Sequence, residues 1–335
     1  MTPFLRRFGP LLAAWAAGAL LIHPTYPVLF PRFQALRIQV NRWLHRPIAY
    51  AFWDAEQGIP LVHYGRVYGE DYGVRFNPLI ACQWALERLL PEDTAGFVRL
   101  VHRIRARLPE DRVWHYDFAL PDYGIPEGWT SAFTQALLAD VFARAGTYAG
   151  DSALLQDARR ALAPLGQPVQ KGGTTLVLPD TGLWFLEYAY PPGPYPRVLN
   201  GMIWVLLSLH TYVSLTGDTT VERWFHLGER ALRLSLVHYD QQGWSFYDRL
   251  GHPASETYQW MHLRLLQRMT RLTGQPDYLR WKRRWALGMH HPARARIAWG
   301  LFVLESLLLW GLLEAGLRGV RRFLRTGGGP GRADP

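Results

Sequence analysis

Three turns of one make recur along this chain: Ala149-Gly150-Asp151, Thr216-Gly217-Asp218 and Thr273-Gly274-Gln275-Pro276-Asp277. Each separates two runs whose apolar residues return at helical spacing. A glycine just past a helix supplies the left-handed position that ends it, and an aspartate soon after caps the next helix. The aspartates fall 67 and 59 residues apart. A fourth pair of helical runs, 79–90 and 95–108, turns at Pro91-Glu92-Asp93-Thr94. A supersecondary unit repeated in series packs on its neighbours. The chain is therefore expected to be mainly α, its helical hairpins winding into an (α/α) toroid or barrel.

Between the hairpins lie shorter, strand-like stretches rich in aromatic residues: 113–118 (Val-Trp-His-Tyr-Asp-Phe), 174–190, and 243–248 (Gly-Trp-Ser-Phe-Tyr-Asp). Each puts a tryptophan two to four residues before a tyrosine, beside a carboxylate. In a ring of hairpins such linkers gather at one end as short β-hairpins around an aromatic, acidic mouth. Taken singly, each also reads as a plain β-hairpin capping the core. With 15 Trp, 16 Tyr and 15 Phe the chain carries many flat apolar faces of the kind that stack on sugar rings. Residues 50–76, with Asp54, His63, Tyr64, Tyr68 and Tyr72, read as short hairpins forming a lid or small β-element.

The net charge of +10 belongs to the ends. Residues 1–49 carry six arginines and no acid, and residues 280–335 carry eleven basic side chains against Glu305, Glu314 and Asp334. The stretch between them holds 20 basic residues against 24 acidic ones. A nucleic-acid-binding domain would concentrate its cations on the folded face, so that class is excluded. Arginines flanking apolar runs point to a membrane. Residues 1–31 are expected to form an N-terminal anchor, with a cleaved signal peptide as the alternative. Residues 32–49 read as a basic juxtamembrane amphipathic helix. Residues 297–317 read as a C-terminal transmembrane helix containing Glu305, with an amphipathic helix on the domain as its alternative. Residues 326–335 are expected to form a disordered tail. Arg6-Arg7 at one end and Arg318, Arg321, Arg322 and Arg325 at the other place both ends in the cytoplasm of a bacterial inner membrane. Residues 50–290 would then face the periplasm or the exterior.

No His, Cys, Asp and Glu set has metal-ligand spacing, no Gly-rich phosphate loop occurs, and no Gly-x-Ser-x-Gly elbow is present. No cofactor and no metal are expected. The single cysteine, Cys82, reads as a small buried side chain. Chemistry is concentrated in Glu187, Tyr188, Asn200, Tyr247, Asp248, Arg249, Tyr258 and His262. Tyr258 and His262 stand at i and i+4 and share a helix face. A glutamate, phenols and an arginine suit removal of a proton alpha to a carboxylate. A guanidinium can hold such a carboxylate in a two-pronged fork and stabilise the enolate-like charge that develops. The same groups also suit purely structural hydrogen-bond networks.

At these positions the chain resembles the C-terminal domain of D-glucuronyl C5-epimerase. Trp184, Glu187 and Tyr188 match three positions of that family's Trp-x-Glu-Glu-Tyr-Pro run, and Val198-Leu199-Asn200-Gly201 matches its Val-Leu-Asn-Gly. Phe246-Tyr247-Asp248 with Arg249 resembles its Ile-Tyr-Asp segment, and Tyr258, His262 and Leu263 match its Tyr-x-x-x-His-Ile/Leu helix. Asn77-Pro78 with Gln83-Trp84-Ala85-Leu86, and Trp129-Thr130-Ser131 with Gln135, Arg144 and Ala145, resemble two upstream helices. Leu186 and Ala189 depart from the pattern, and two extra residues lie in the turn before Val198.

The resemblance implies an (α/α) barrel that inverts C5 of a hexuronic acid within a polysaccharide. It implies catalytic roles for Glu187, Tyr188, Tyr247 and Tyr258, with Arg249 holding the carboxylate. Arg197, Asn200, His262, Trp184, Trp129, Gln135 and Tyr116 complete the expected substrate-binding set. The expected partners are a uronic-acid polysaccharide and a membrane, with homodimerisation left open. A uronate lyase and a non-catalytic glycan-binding component of an exopolysaccharide system are the alternative readings.

Overall fold

The computed structural model describes residues 50–67 and 70–289. These are mainly helical with three small antiparallel sheets. By internal packing they divide into two units. The first gathers the described residues up to Val177, with Phe185–Tyr195 and Ser208–Phe225. The second gathers Leu178–Trp184, Pro196–Leu207 and the described residues from His226 onward. The expected membrane anchor, juxtamembrane helix, C-terminal span and tail all lie outside the described residues. Among the described residues no helix is long and apolar enough to cross a membrane.

The first unit opens with an antiparallel sheet of β1 (Tyr50–Asp54), β2 (Ile59–Val67) and β3 (Glu70–Arg75). The register shifts at Gly65, whose φ of 64° suits the bulge. Asn77 then caps α1 (Pro78–Trp84), its side chain accepting from the Leu79 and Ile80 amides. The expected helix over 79–90 is not uniformly α. A π-helical turn (Ala85–Leu89) follows α1, closed by Leu90 N–H donating to the Ala85 carbonyl. Asp93 caps α2 (Thr94–Arg105) through the Gly96 amide.

The centre of this unit is α3 (Ala132–Ala149), capped by Ser131 and buried on nearly every side. Its apolar residues are not confined to one stripe, which is the pattern of a helix enclosed by neighbours. α4 (Ser152–Ala161) packs along it, as do α1 and α2. Between α3 and α4, Gly150 stands at φ 65° and Asp151 accepts from the Ala153 and Leu154 amides. That is the turn chemistry read from the sequence.

The stretch 113–118 is not a strand. It meets residues 128–130 through a few backbone bonds, with Tyr116 N–H donating to the Trp129 carbonyl and Gly128 N–H to that of Tyr116. Ring stacking and one buried amide hold it, so no continuous ladder forms. β4 (Thr175–Leu178) and β5 (Gly182–Phe185) make a hairpin, after which Thr130 and Ala189 exchange backbone bonds.

α5 (Leu199–Thr216) and α6 (Thr219–Ser235) follow, and Asp218 accepts from the Thr220 and Val221 amides ahead of α6. In the second unit a two-residue hairpin, β6 (Asp240–Gln241) with β7 (Trp244–Ser245), precedes α7 (Glu256–Thr273) and α8 (Pro276–Met289). The third turn departs from the sequence reading. Gly274 ends α7 at φ 69°, but Asp277 lies inside the first turn of α8 and pairs with Arg280. Pro276 begins that helix and needs no amide partner there, so an aspartate cap is unnecessary.

Candidate active-site residues

In the first unit an aromatic cluster forms around Tyr116, Ile125 and Trp129, with Trp114, Phe118, Tyr123, Tyr188 and Tyr190 packed against it. Tyr116 and Trp129 stack face to face at 3.9 Å. The Tyr188 ring meets Trp129 edge-on at 5.4 Å and Tyr123 at the same separation. Trp129 is fixed by its indole N–H donating to the Phe118 carbonyl, 2.7 Å away. With Tyr116 and Trp129 nearly enclosed, the cluster's accessible faces belong to the half-buried rings of Trp114, Phe118, Tyr123, Tyr188 and Tyr190.

Glu187 belongs to the same unit. It is 8% exposed, and burial pushes its carboxyl up to about 7, against a weaker opposing effect from a hydrogen bond with the neighbouring Tyr188 side chain. Its Oε2 is buried without a hydrogen-bond partner. A carboxyl in low-dielectric surroundings is disfavoured as an anion, and one that titrates near neutrality is poised both to take and to give a proton.

Other polar groups of this unit fix the cluster. The Tyr116 hydroxyl bonds to Thr134 Oγ1 at 2.7 Å, and Asn77 Nδ2 donates to the Tyr64 hydroxyl at 2.6 Å. Burial raises the pKa of both phenols. Gln135, expected to bind substrate, is fully buried. Its amide donates to the Arg112 and Ala161 carbonyls and accepts from the Trp114 N–H. With both N–H groups and the oxygen committed to backbone, its work is to hold 112–114 in place.

In the second unit Leu199 N–H donates to the Tyr247 carbonyl, tying the start of α5 to the segment that carries Tyr247 and Arg249. Arg249 donates from its backbone to the Pro196 carbonyl and from its guanidinium to that of His238, while its Nε is buried without a partner. Arg197 takes a φ of 50°, and its carbonyl accepts from the Tyr239 hydroxyl at 2.5 Å. Partial burial, and secondarily the Arg249 charge, lower the Arg197 pKa. Asn200 is 4% exposed with its Oδ1 unpartnered. Tyr247 and Tyr258 meet edge to face at 4.6 Å, both half-buried.

Two expectations for this unit are corrected by enclosure. Trp184 is fully buried against Tyr239, ring over ring at 5.8 Å, so it presents no face to a ligand. His262 is also fully buried. Its Nδ1 faces Ser245 Oγ at 2.7 Å, and desolvation drops its pKa to about 3, leaving it neutral. Tyr258 and His262 share a face of α7 as read, but one meets a neighbouring ring and the other is enclosed behind Ser245 and Gln259.

Sequence reasoning missed Tyr239, Ser245, Gln259 and Thr134, which hold these groups. Gln259 had a usable signal, since it lies three residues before His262 on the same helix. Tyr239 had none, because its role depends on contacts across the fold. Among the described residues ten buried side-chain polar atoms lack a hydrogen-bond partner, and five of them belong to candidate site residues: Trp184, Glu187, Asn200, Arg249 and His262. Among the described residues no three His, Cys, Asp or Glu side chains gather as metal ligands.

An uncharacterized protein of Methanocaldococcus jannaschii is 31% identical over 176 residues, covering 52% of this chain and 56% of the relative. The chain thus spans only about half the length of that curated relative. A D-mannose isomerase structure aligns at TM-score 0.40 and 12% identity, over 62% of this chain and 56% of the other. The unsaturated glucuronyl hydrolase of Bacillus sp. GL1 aligns at TM-score 0.36 and 15% identity, over 62% and 59% respectively. The profile of the D-glucuronyl C5-epimerase C-terminus matches residues 110–287, which include every candidate catalytic residue. The chain belongs to the D-glucuronyl C5-epimerase C-terminus family.

Proposed function

We infer that the chain is an epimerase that inverts C5 of hexuronic acid residues within a polysaccharide. The observation that carries this reading is Glu187: a buried carboxyl beside tyrosines, raised to about 7, with one oxygen unpartnered. A C5 proton alpha to a carboxylate is weakly acidic, and a base that titrates near the working pH removes it most effectively. In the reading, Glu187 or Tyr258 takes the proton from one face of C5, and Tyr188 or Tyr247 returns one to the other. Arg249 neutralises the carboxylate as it becomes enolate-like, and Arg197 and Asn200 add contacts to the substrate. The accessible rings of the first unit, Tyr188 above all, offer apolar faces for the sugar. The unpartnered Asn200 Oδ1 and Arg249 Nε support their assignment, because buried polar atoms left unsatisfied in a free protein are commonly completed by a ligand or water.

The reading includes an (α/α) toroid of helical hairpins, as the family likeness implies. It also includes anchoring in a bacterial inner membrane through residues 1–31 and 297–317. Both ends would be cytoplasmic and the enzyme domain on the far side, supported by the arginines at each end. The departures at Leu186 and Ala189 leave the substrate as a uronic-acid polymer, of which a glucuronic-acid chain is one member.

Incubation of the full chain with uronic-acid polymers in deuterated water tests the reaction. Deuterium at C5 together with the inverted epimer is the expected product. An unsaturated, UV-absorbing chain end would instead identify a lyase. No exchange with any such polymer would sink the proposal.

A further inference from the structure

The first unit carries an open cavity of about 500 Å³ between the α4 segment and the start of α6. It is lined by Gln156, Arg159 and Arg160 on one side and by Asp218, Thr220 and Trp224 on the other. Its size falls within the range of about 300–1,000 Å³ usual for small-molecule sites. Of these residues only Asp218 was singled out from the sequence, as a helix cap and not as a ligand-binding group.

The charge of the cavity is not the simple balance of its residues. Asp218 spends its Oδ1 on the Thr220 and Val221 amides at the start of α6. Arg160 reaches Asp157 at 3.4 Å, but Asp157, 1% exposed, already takes Arg105 at 2.5 Å and Arg112 at 3.0 Å. Three guanidiniums on one carboxylate leave positive charge over, and Arg159 adds to it. The half-buried Trp224 is seated by Gly166, where a Cβ would stand 3.0 Å from the indole's outer ring carbons. That close approach braces one edge of the indole.

Two arginines and a braced indole lining one cavity suit a sugar ring that carries a carboxylate. The ring's C–H face stacks on tryptophan, and the carboxylate takes charge-assisted bonds from arginine. We propose that this cavity is a second binding site for the acidic polysaccharide, holding a uronic acid residue on Trp224, Arg159 and Arg160. The proposal rests on the reading of the substrate as a uronic-acid polymer. It gives the chain a hold on that polymer separate from the residues assigned to the chemistry.

The probe is a uronic-acid octasaccharide, compared with its neutral carboxyl-reduced counterpart, binding to the full chain. Hydrogen exchange should slow in peptides covering 156–163 and 218–224 with the acidic probe and not with the neutral one. Arg159→Glu with Arg160→Glu, and separately Trp224→Phe, should each remove that protection and weaken binding by about tenfold or more. Trp224→Phe keeps an aromatic ring against Gly166, so its loss of binding cannot be put down to collapse of the turn. On the long polymer both variants should raise KM and leave kcat unchanged. Unaltered exchange in both peptides, or equal binding of the neutral probe, overturns the site. If these peptides are protected but no polymer gains deuterium at C5, the epimerase reading fails and the site stands. If C5 exchange occurs with wild-type KM in both variants, the site fails and the epimerase reading stands.

Discussion

Glu187 is where one side chain sets stability against chemistry. Its carboxyl is raised from 4.5 to about 7 by burial, so ionising it costs roughly 3 kcal/mol more in the folded chain than in the unfolded one. Its stabilising contribution is complete below about pH 4.5 and is lost as pH rises through about 7. Glu187→Gln should therefore unfold at higher temperature than wild type at pH 8 and at the same temperature near pH 4.5. The same variant should lose about 10²- to 10⁴-fold in C5 exchange. In the wild type, kcat/KM for exchange should rise with pH up to about 7. A Gln variant no more stable than wild type at pH 8 would contradict the buried, unpartnered carboxyl. His262 works in the opposite direction. Its folded pKa of about 3 lies below the ordinary 6.5, so its contribution is present above pH 6.5 and shrinks as the pH falls toward 3. Thermal unfolding scanned from pH 7 to 4 should show a shallower acid decline in His262→Gln than in wild type. An identical slope would remove His262 as its cause.

Among the elements, the glycines separate two physical effects that sequence alone confuses. Gly274 and Gly288 lie at the end of α7 and late in α8. A Cβ on Gly274 meets nothing within 4 Å, so only its left-handed φ of 69° resists substitution. A Cβ on Gly288 would stand 1.9 Å from the Gly243 carbonyl oxygen, because α8 lies directly on the β6–β7 turn. Gly274→Ala should cost about 1 kcal/mol and Gly288→Ala about 3 kcal/mol or more by denaturant titration. Reversal of that order would mean α8 does not approach the hairpin so closely. The turn signal Ala149-Gly150-Asp151 was legible because capping is local: the glycine and the aspartate act within one turn of their own helices. Asp277 was misread for the converse reason. A proline that starts the helix makes the cap unnecessary, and the chain spacing looks the same either way. The segment 113–118 looked like a strand from its composition, yet stacking and the Gln135 amide replaced a ladder.

For the whole molecule, charge is distributed by region. Six arginines with no acid precede residue 50, eleven basic residues follow residue 279, and the stretch between is slightly acidic. If the apolar runs beside those arginines anchor the chain, as proposed, the full chain should stay in the membrane pellet after alkaline carbonate extraction. Release into the supernatant would rule out spanning segments and leave surface attachment. The match over 110–287 covers both units, and the candidate residues are shared between them. Glu187, Tyr188, Tyr116, Trp129 and Gln135 belong to the first, while Arg197, Asn200, Tyr247, Arg249, Tyr258, His262 and Trp184 belong to the second. The sequence by itself determined the helical hairpins, the first two of their Gly-Asp turns and the membership of this family, because spacing and turn chemistry act over a few residues. Only the tertiary structure decided which candidates are enclosed. Trp184, Gln135 and His262 were drawn into the interior by packing, while Glu187 was buried without a partner for one oxygen and so brought near neutrality. Burial and the company a polar atom keeps depend on residues far away in the chain, and no local pattern records them.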